Sequence, residues 1–310
     1  MRKKNQKLMV IGGLLMLVNL TFFLAGSGTF HQTKKYDIAV ADTSAVMTVK
    51  LTRSGEENTL QREGNDWTLN QEFATDPGYT RILLAVLNRV AVKRPLGDAQ
   101  LAELNARVED DAVLVELEEP ERTFYVLGNK TYTKTYFLES NGEVGYEVEI
   151  PGYRDFVGGI FQLTTDQWRD RLIFRGNFRT IDQIEVKLQN QGFLKAGLKD
   201  GYFEIEGLEA YDTLSFVNYL NGFNYLQANE RISVGKFPQY DSLRNTQAKD
   251  QLIISDLGLA TPLLLDIYPA LPGENFRLTV VNERDMTVVA SGRIKNWLKK
   301  AEEFSFGAAE

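Results

Sequence analysis

The stretch RTIDQIEVKL, Arg179–Leu188, repeats a pattern that occurs earlier in the chain in DTSAVMTVKL, Asp42–Leu51. In both stretches apolar and polar residues alternate, and both end in the same three letters, V-K-L. A period of two is typical of a strand with one buried face, so Met47, Val49 and Leu51 are predicted to face a core. The repeated pattern predicts that a second copy of one module begins near Arg179.

The residues that follow each stretch support this duplication. In each half two short strands come next, and the residues Trp67-Thr68-Leu69 match Phe203-Glu204-Ile205. Each half then carries an aspartate suited to cap a helix, Asp76 followed by Pro77 and, in the second half, Asp212. The predicted helices carry apolar residues at helical spacing: Ile82, Leu83, Val86, Leu87 and Val90 in the first, and Leu214, Phe216, Val217, Leu220 and Phe223 in the second.

Further alternating runs, separated by turn residues, predict an antiparallel meander in each half. A helix near Ile294 to Phe304 is predicted to end the chain. The predicted fold class is therefore α+β: two tandem related modules, each a mainly antiparallel sheet with one packed helix, after an N-terminal transmembrane helix. The modules are placed at 42–160 and 179–310, with an inter-module connector at 161–178.

The first residues predict a membrane anchor. Residues 1–7 form a basic tail with Arg2, Lys3, Lys4 and Lys7, and no charged residue occurs from Leu8 to Phe30. A helix over residues 8–28 is long enough to cross a bilayer and would contact membrane lipid, and residues 29–41 would form a tether. The basic tail predicts that the N-terminus lies in the cytoplasm and the body in the periplasm or another extracytoplasmic space. Cleavage after Ser27, as in a signal peptide, is the alternative.

Composition limits the chemistry that the chain can carry. The sequence has no cysteine and a single histidine, His31, which argues against thiolate catalysis and against cysteine metal sites. Beyond the basic tail, 31 basic and 42 acidic residues leave a net charge of −11. Such a body would be repelled by phosphate backbones, so nucleic acid is not an expected partner.

The connector contains the most conspicuous local pattern, LTTDQWRDRLIF. Thr164 and Gln167 fit a capping box, which would start a short helix and turn Trp168 inward. Arg169, Asp170 and Arg171 would then form ion pairs at the end of this helix. The alternative hypothesis makes Arg169 and Arg171 an anion clamp, because a guanidinium group suits a carboxylate or a phosphate.

Aromatic residues are dense between Phe124 and Phe178, and Tyr153 and Phe156 belong to this group. They are candidates for a protein or glycan contact surface, although aromatic residues also simply favour strands. Neither a cofactor nor a metal site is predicted, and no catalytic set is recognised.

Several motifs together resemble one bacterial family. These are the anchor, VADTSAVMTVKL, REGNDWTLN, the helix ending in VAVKRPL, YEVEIPGYRDFVGGIF and DQWRDRLIF. In this order they resemble the bacterial domain of unknown function 4340, from Tyr36 to about Phe304 and most densely from Asp42 to Phe174. The resemblance implies a membrane-anchored accessory of ABC transporters of the gliding-motility type, without established catalytic residues.

These observations lead to one expectation and two alternatives. The expected function is that of a non-enzymatic, membrane-anchored extracytoplasmic accessory protein that docks on a partner membrane protein. The first alternative is an extracytoplasmic glycan- or small-ligand-binding protein. A hydrolase acting through paired carboxylates is the second, because acidic residues are dense around Glu116 and Glu118.

Overall fold

The computed structural model describes residues 38–189, 192–247 and 249–306. Two large antiparallel sheets with a few helices form this part of the chain, which confirms the α+β class. The predicted basic tail, the anchor at 8–28, most of the tether and His31 lie outside the described residues. Within the described ranges, no helix combines the length and the apolar character needed to cross a bilayer.

The first sheet is built from residues 48–149. Its strands are, in chain order, Thr48–Arg53 (β1), Glu56–Glu63 (β2), Asp66–Leu69 (β3), Phe73–Ala74 (β4), Ala91–Pro95 (β5), Val113–Leu117 (β6), Arg122–Gly128 (β7), Thr135–Glu139 (β8) and Gly145–Glu149 (β9). They are ordered β4-β3-β2-β1-β6-β7-β8-β9-β5 across the sheet. Strand β5 therefore crosses to the far edge, where it pairs with β9.

Helices cover both faces of this sheet. Helix α1, Pro77–Arg89, lies between β4 and β5, and helices Asp98–Asn105 (α2) and Val108–Asp111 (α3) lie between β5 and β6. As predicted, Asp76 caps α1: its Oδ1 accepts a hydrogen bond from the N–H of Gly78 at 2.8 Å, and Pro77 opens the helix. Leu83 and Leu87 of α1 enter the main core, whereas Leu104 of α2 packs in a smaller cluster with Leu127 and Leu138.

The connector follows the first sheet. It contains part of a 3₁₀ helix, Val157–Gln162, a short helix, Thr165–Trp168 (α4), and a strand, Leu172–Phe174 (β10). The second sheet then begins.

The strands of the second half are Ile181–Leu188 (β11), Gly192–Lys199 (β12), Tyr202–Ile205 (β13), Leu226–Gln227 (β14), Glu230–Ile232 (β15), Asp250–Asp256 (β16), Leu263–Ile267 (β17), Phe276–Val281 (β18) and Asp285–Ala290 (β19). β14 pairs with β10, and the other eight form a sheet in the order β13-β12-β11-β16-β17-β18-β19-β15. Apart from β4, the first sheet has the same order strand for strand.

The helices of the second half are Thr213–Asn221 (α5), Pro238–Arg244 (α6) and Ser291–Trp297 (α7), with 3₁₀ helices at Gly222–Tyr225 and Ala301–Phe304. Asp212 caps α5 as predicted, since its Oδ1 accepts hydrogen bonds from the N–H groups of Leu214 and Ser215. Phe216 and Leu220 of α5 are fully buried in the main core of this half. Tyr240 of α6 packs in a second cluster that includes Leu278 and Val280.

Several sequence predictions need correction. Val90–Leu96 was expected to end a helix, but α1 stops at Arg89 and β5 follows, because these residues pair with β9 at a sheet edge. Pro95 is tolerated there because an edge strand pairs on one side only and uses fewer of its backbone N–H groups as hydrogen-bond donors. Met47 was expected to face the core, yet its side chain is 41% exposed and Val46 is buried. The alternation fails at this point because β1 begins only at Thr48.

The helix content was also underestimated. One helix was expected to pack on each sheet. In the structure α2 and α3 also cover the other face of the first sheet, and α6 covers the other face of the second sheet. Ile82 and Leu214 were expected inside, but their side chains are 49% and 70% exposed. The predicted terminal helix is two pieces, α7 and a 3₁₀ helix that ends at Phe304.

Candidate functional site: a locked connector and an open apolar groove

The connector is organised around a capped turn. The N–H of Thr164 donates to Oε1 of Gln167 at 2.9 Å, and the predicted capping box is present. Trp168 is 0% exposed, and its ring meets that of Tyr79 edge-on at 6.3 Å between centroids. The main-chain oxygen of Trp168 also accepts the N–H of Asp76 at 2.8 Å. The tryptophan therefore fastens the connector to the start of α1.

Asp166, in the same turn, is a buried acceptor shared by both halves of the chain. Its Oδ1 accepts the hydroxyl of Ser233 at 2.7 Å, and its Oδ2 accepts the ammonium of Lys236 at 2.9 Å. Burial alone would raise the pKa of Asp166, but the hydrogen bonds from Ser233 and Lys236 outweigh burial and hold this pKa below its ordinary value. The carboxylate is therefore charged at neutral pH and ties the connector to the segment after β15.

Arg169 is a buried cation with its partners on three sides. Its guanidinium group lies 3.0 Å from Asp285 Oδ1, 3.5 Å from Asp166 Oδ1 and 4.0 Å from the centre of the Phe73 ring. Asp285 opens β19 and Phe73 lies in β4, so this one side chain bridges the two sheets. The stacking on Phe73 suits a planar cation.

Arg171 and Asp170 complete the predicted set. Arg171 donates through Nε and Nη2 to Oδ2 of Asp76 at 3.2 Å, and the N–H of Asp170 donates to the main-chain oxygen of Ala74 at 2.8 Å. The structure thus brings Trp168, Arg169, Asp170 and Arg171 together at the junction of the two halves. Because both arginines are engaged by carboxylates of this chain, these contacts favour the structural interpretation over an anion clamp.

The sequence did not point to Arg231, although this side chain is central to the junction. Its guanidinium group is buried, and it donates to the main-chain oxygens of Asp170 and Leu172 at 2.9 Å each. Burial lowers the pKa of Arg231, and the nearby charge of Arg169 acts in the same direction. No local pattern marks Arg231, whereas the spacing of Asp166 and Arg169, three residues apart, was a signal for that pair.

Tyr153 and Phe156 lie elsewhere, at an apolar groove of about 460 Å³ on the first half. Helix α1 forms one wall, and residues 150–163 form the other. Tyr153 and Ile82 are about half exposed in this groove, at 53% and 49%. The lining is Tyr79, Ile82, Ala85, Val86, Arg89, Ile150, Tyr153, Phe156, Val157, Gly159, Ile160 and Leu163.

Phe156 anchors the second wall. A Cβ atom at Gly158 would lie 2.6 Å from Cζ of Phe156, and one at Gly128 would lie 3.0 Å from the same atom. The ring therefore occupies space that only two glycines leave free, and it also contacts Tyr132 edge-on at 5.3 Å. Phe156 holds the wall in place, and Tyr153 presents the accessible ring.

Uncompensated positive charge lies at the groove. Arg89 lines it and is exposed. Among the residues that the structure describes, Arg89 has no acidic partner.

Other charged clusters are internally satisfied. Buried Glu147 is paired with Arg94 at 2.7 Å, and buried Asp266 with Lys249 at 2.5 Å. No group of three or more histidine, cysteine or carboxylate side chains suited to a metal ion occurs in the described part of the chain. The groove, whose lining is mainly apolar, is the candidate binding surface.

Comparison of the chain with models of protein families, with curated proteins and with solved structures found no match.

Proposed function

We propose that this chain is a non-enzymatic, membrane-anchored accessory protein whose extracytoplasmic body docks on a partner membrane protein. The observation that carries the proposal is the exposed apolar groove beside α1, because a contiguous apolar lining that includes Ile82 and Tyr153 is typical of an interaction site. The resemblance to the domain of unknown function 4340 suggests an ABC transporter of the gliding-motility type as that partner.

The proposal includes the anchor and the topology predicted from the sequence. Residues 8–28 would lie in the lipid of the bacterial cytoplasmic membrane, with residues 1–7 inside. The described body begins at Ile38, so only a short tether would separate it from the bilayer. A partner in the same membrane would therefore be held close to the groove.

The proposal also includes a duplication of one module, which matched hydrogen bonds support. At a constant spacing, the first half has Trp67, Thr75, Asp76 and Trp168 where the second has Phe203, Tyr211, Asp212 and Phe304. In the first half the hydroxyl of Thr75 donates a hydrogen bond to the main-chain oxygen of Trp67. In the second half the hydroxyl of Tyr211 donates to the main-chain oxygen of Phe203. The N–H of each aspartate donates to the main-chain oxygen of the last aromatic residue at 2.8 Å.

Co-purification tests the proposed function. The full-length chain is extracted from membranes in a mild detergent, and the proteins that accompany it are identified and quantified. A membrane protein present in stoichiometric amount is expected. A chain that emerges alone, with its membrane extraction otherwise efficient, would contradict docking.

A glycan- or small-ligand-binding protein is the second candidate. The groove volume of about 460 Å³ falls within the range of small-molecule sites, and Tyr79 and Tyr153 offer aromatic faces. A ligand that binds the folded state must raise the melting temperature, so a screen of glycans and small amphiphiles by thermal shift separates this candidate from the first.

A further inference from the structure

Helix α1 carries a second apolar stripe in addition to its core face. Leu83 and Leu87 point into the core, and Val86, which is also buried there, lines the groove together with Tyr79, Ile82 and Arg89. These four positions follow the i, i+3, i+7, i+10 spacing by which one helix packs along another. They extend over roughly 15 Å of helix at 1.5 Å per residue, which is the length of about three turns of a partner helix.

The second half provides an internal comparison for this stripe. At the constant spacing that relates Asp76 to Asp212, Ile82 corresponds to Asn218 and Ala85 to Asn221. Both asparagines are exposed on α5. The scaffold therefore accepts polar residues at these places, so the fold does not require Ile82 and Ala85 to be apolar.

The walls of the groove also restrict the backbone of an occupant. One wall is an α-helix and the other contains a 3₁₀ helix, so the groove offers no free strand edge with which an extended peptide could pair. An occupant that buries its main-chain N–H and C=O groups here must form their hydrogen bonds within its own chain. A helix does so.

From these observations we infer that the groove binds an amphipathic helix of the partner membrane protein. The helix lays an apolar stripe along Tyr79, Ile82 and Val86 and places an acidic side chain near Arg89. This inference rests on the proposed function and names the part of the partner that the groove recognises. Arg89 has no acidic partner in the described chain, so an acidic residue of the occupant complements its charge.

The test uses the full-length chain in its own membrane. A photo-crosslinking amino acid replaces Ile82, and the crosslinked peptide is sequenced. The expected product is a segment of another membrane protein with apolar residues at i, i+3, i+4 and i+7 and acidic residues beside them. Crosslinks to lipid, to residues 1–37 of the same chain or to a second copy would each overturn the inference.

Two sets of variants measure the contribution of the groove. The pair Ile82→Asn with Ala85→Asn copies the second half, and Arg89→Glu reverses the charge; each is expected to lower recovery of the partner about tenfold or more. Arg81→Glu, on the same helix but outside the groove lining, is the matched control and should retain the partner. Melting temperatures of all variants are measured, and because these side chains are exposed they should remain close to that of the unsubstituted chain.

The outcomes distinguish failure of the groove inference from failure of the proposed function. If the unsubstituted chain recovers a partner and the groove variants recover it equally well, docking stands and the groove inference fails. If the unsubstituted chain recovers no partner, the proposed function itself fails. Restoration of binding to Arg89→Glu by an acidic-to-lysine change in the crosslinked helix would support the inference directly.

Discussion

Asp166 shows how one residue links the two halves. Its side chain is 3% exposed and accepts bonds from Ser233 and Lys236, while Arg169 lies within ion-pair distance. A buried ion pair adds little stability compared with an apolar pair, but removing one partner leaves the other charge buried alone. The stability of the junction therefore depends on the carboxylate being present and ionised.

We expect Asp166→Asn to lower the free energy of unfolding by roughly 3 kcal/mol, because Arg169 would keep its buried charge with one anion fewer. The measurement is urea unfolding of the full-length chain in detergent. Asp182→Asn, at an exposed position of β11, is the control and should change the midpoint little. Equal midpoints for Asp166→Asn and the control would contradict the assigned role.

The same residue predicts a dependence on pH. Since the pKa of Asp166 is lower in the folded than in the unfolded chain, its contribution is complete above the unfolded value of roughly 4 and is lost as pH falls through the folded pKa. Melting temperatures from pH 7 to pH 3 should show a difference between the original chain and Asp166→Asn that shrinks below about pH 4. A difference that stays constant to pH 3 would refute this linkage.

At the scale of elements, the ring of Phe156 helps to position the segment from Ile150 to Leu163, together with core residues such as Phe161. Phe156 fits against Gly128 and Gly158, and the same segment forms one wall of the groove. The shape of the groove thus depends on Gly128 and Gly158, because neither has a side chain where the Phe156 ring approaches.

Gly158→Ala is expected to displace Phe156, because the new Cβ would lie 2.6 Å from its ring, and to destabilise the chain by about 1–3 kcal/mol. Gly159→Ala is the matched control, since its nearest ring atom would be 3.6 Å away. Thermal unfolding checks the stability, and the crosslinking yield from residue 82 checks the groove. Comparable losses for the two alanine variants would show that Phe156 is not the anchor.

At the scale of the whole molecule, the two sheets are joined by buried and exposed contacts. Arg231 and Arg169 are buried at the junction, whereas the pair of Arg284 with Glu72 also spans the two halves but is largely exposed. Exposed pairs contribute little, while buried groups that lose their partners cost much more. The buried set should therefore control whether the halves unfold together.

Calorimetry of the full-length chain in detergent tests this coupling. We expect one unfolding transition for the original chain and two for Arg231→Leu, because the main-chain oxygens of Asp170 and Leu172 lose their donor. Arg284→Ala crosses the same junction and should leave a single transition. Two transitions already present in the original chain would mean that the junction does not couple the sheets.

Local patterns were sufficient for much of the fold. Alternation located most strands, and Asp76, Pro77 and Asp212 marked the starts of two helices, because caps and side-chain periods depend on neighbours a few residues away. The inward position of Trp168 followed from its capped turn for the same reason. The α+β class with antiparallel sheets follows from these elements.

Contacts between distant residues decided the rest. Val90–Leu96 became an edge strand because β9 was available to pair with it, and Ile82 became exposed because the core face of α1 was already filled by Leu83 and Leu87. Arg169 meets Asp285, and Arg231 meets the connector, across more than 50 positions of chain. Such pairs depend on how the two sheets are placed in space, and no short stretch of sequence contains that information.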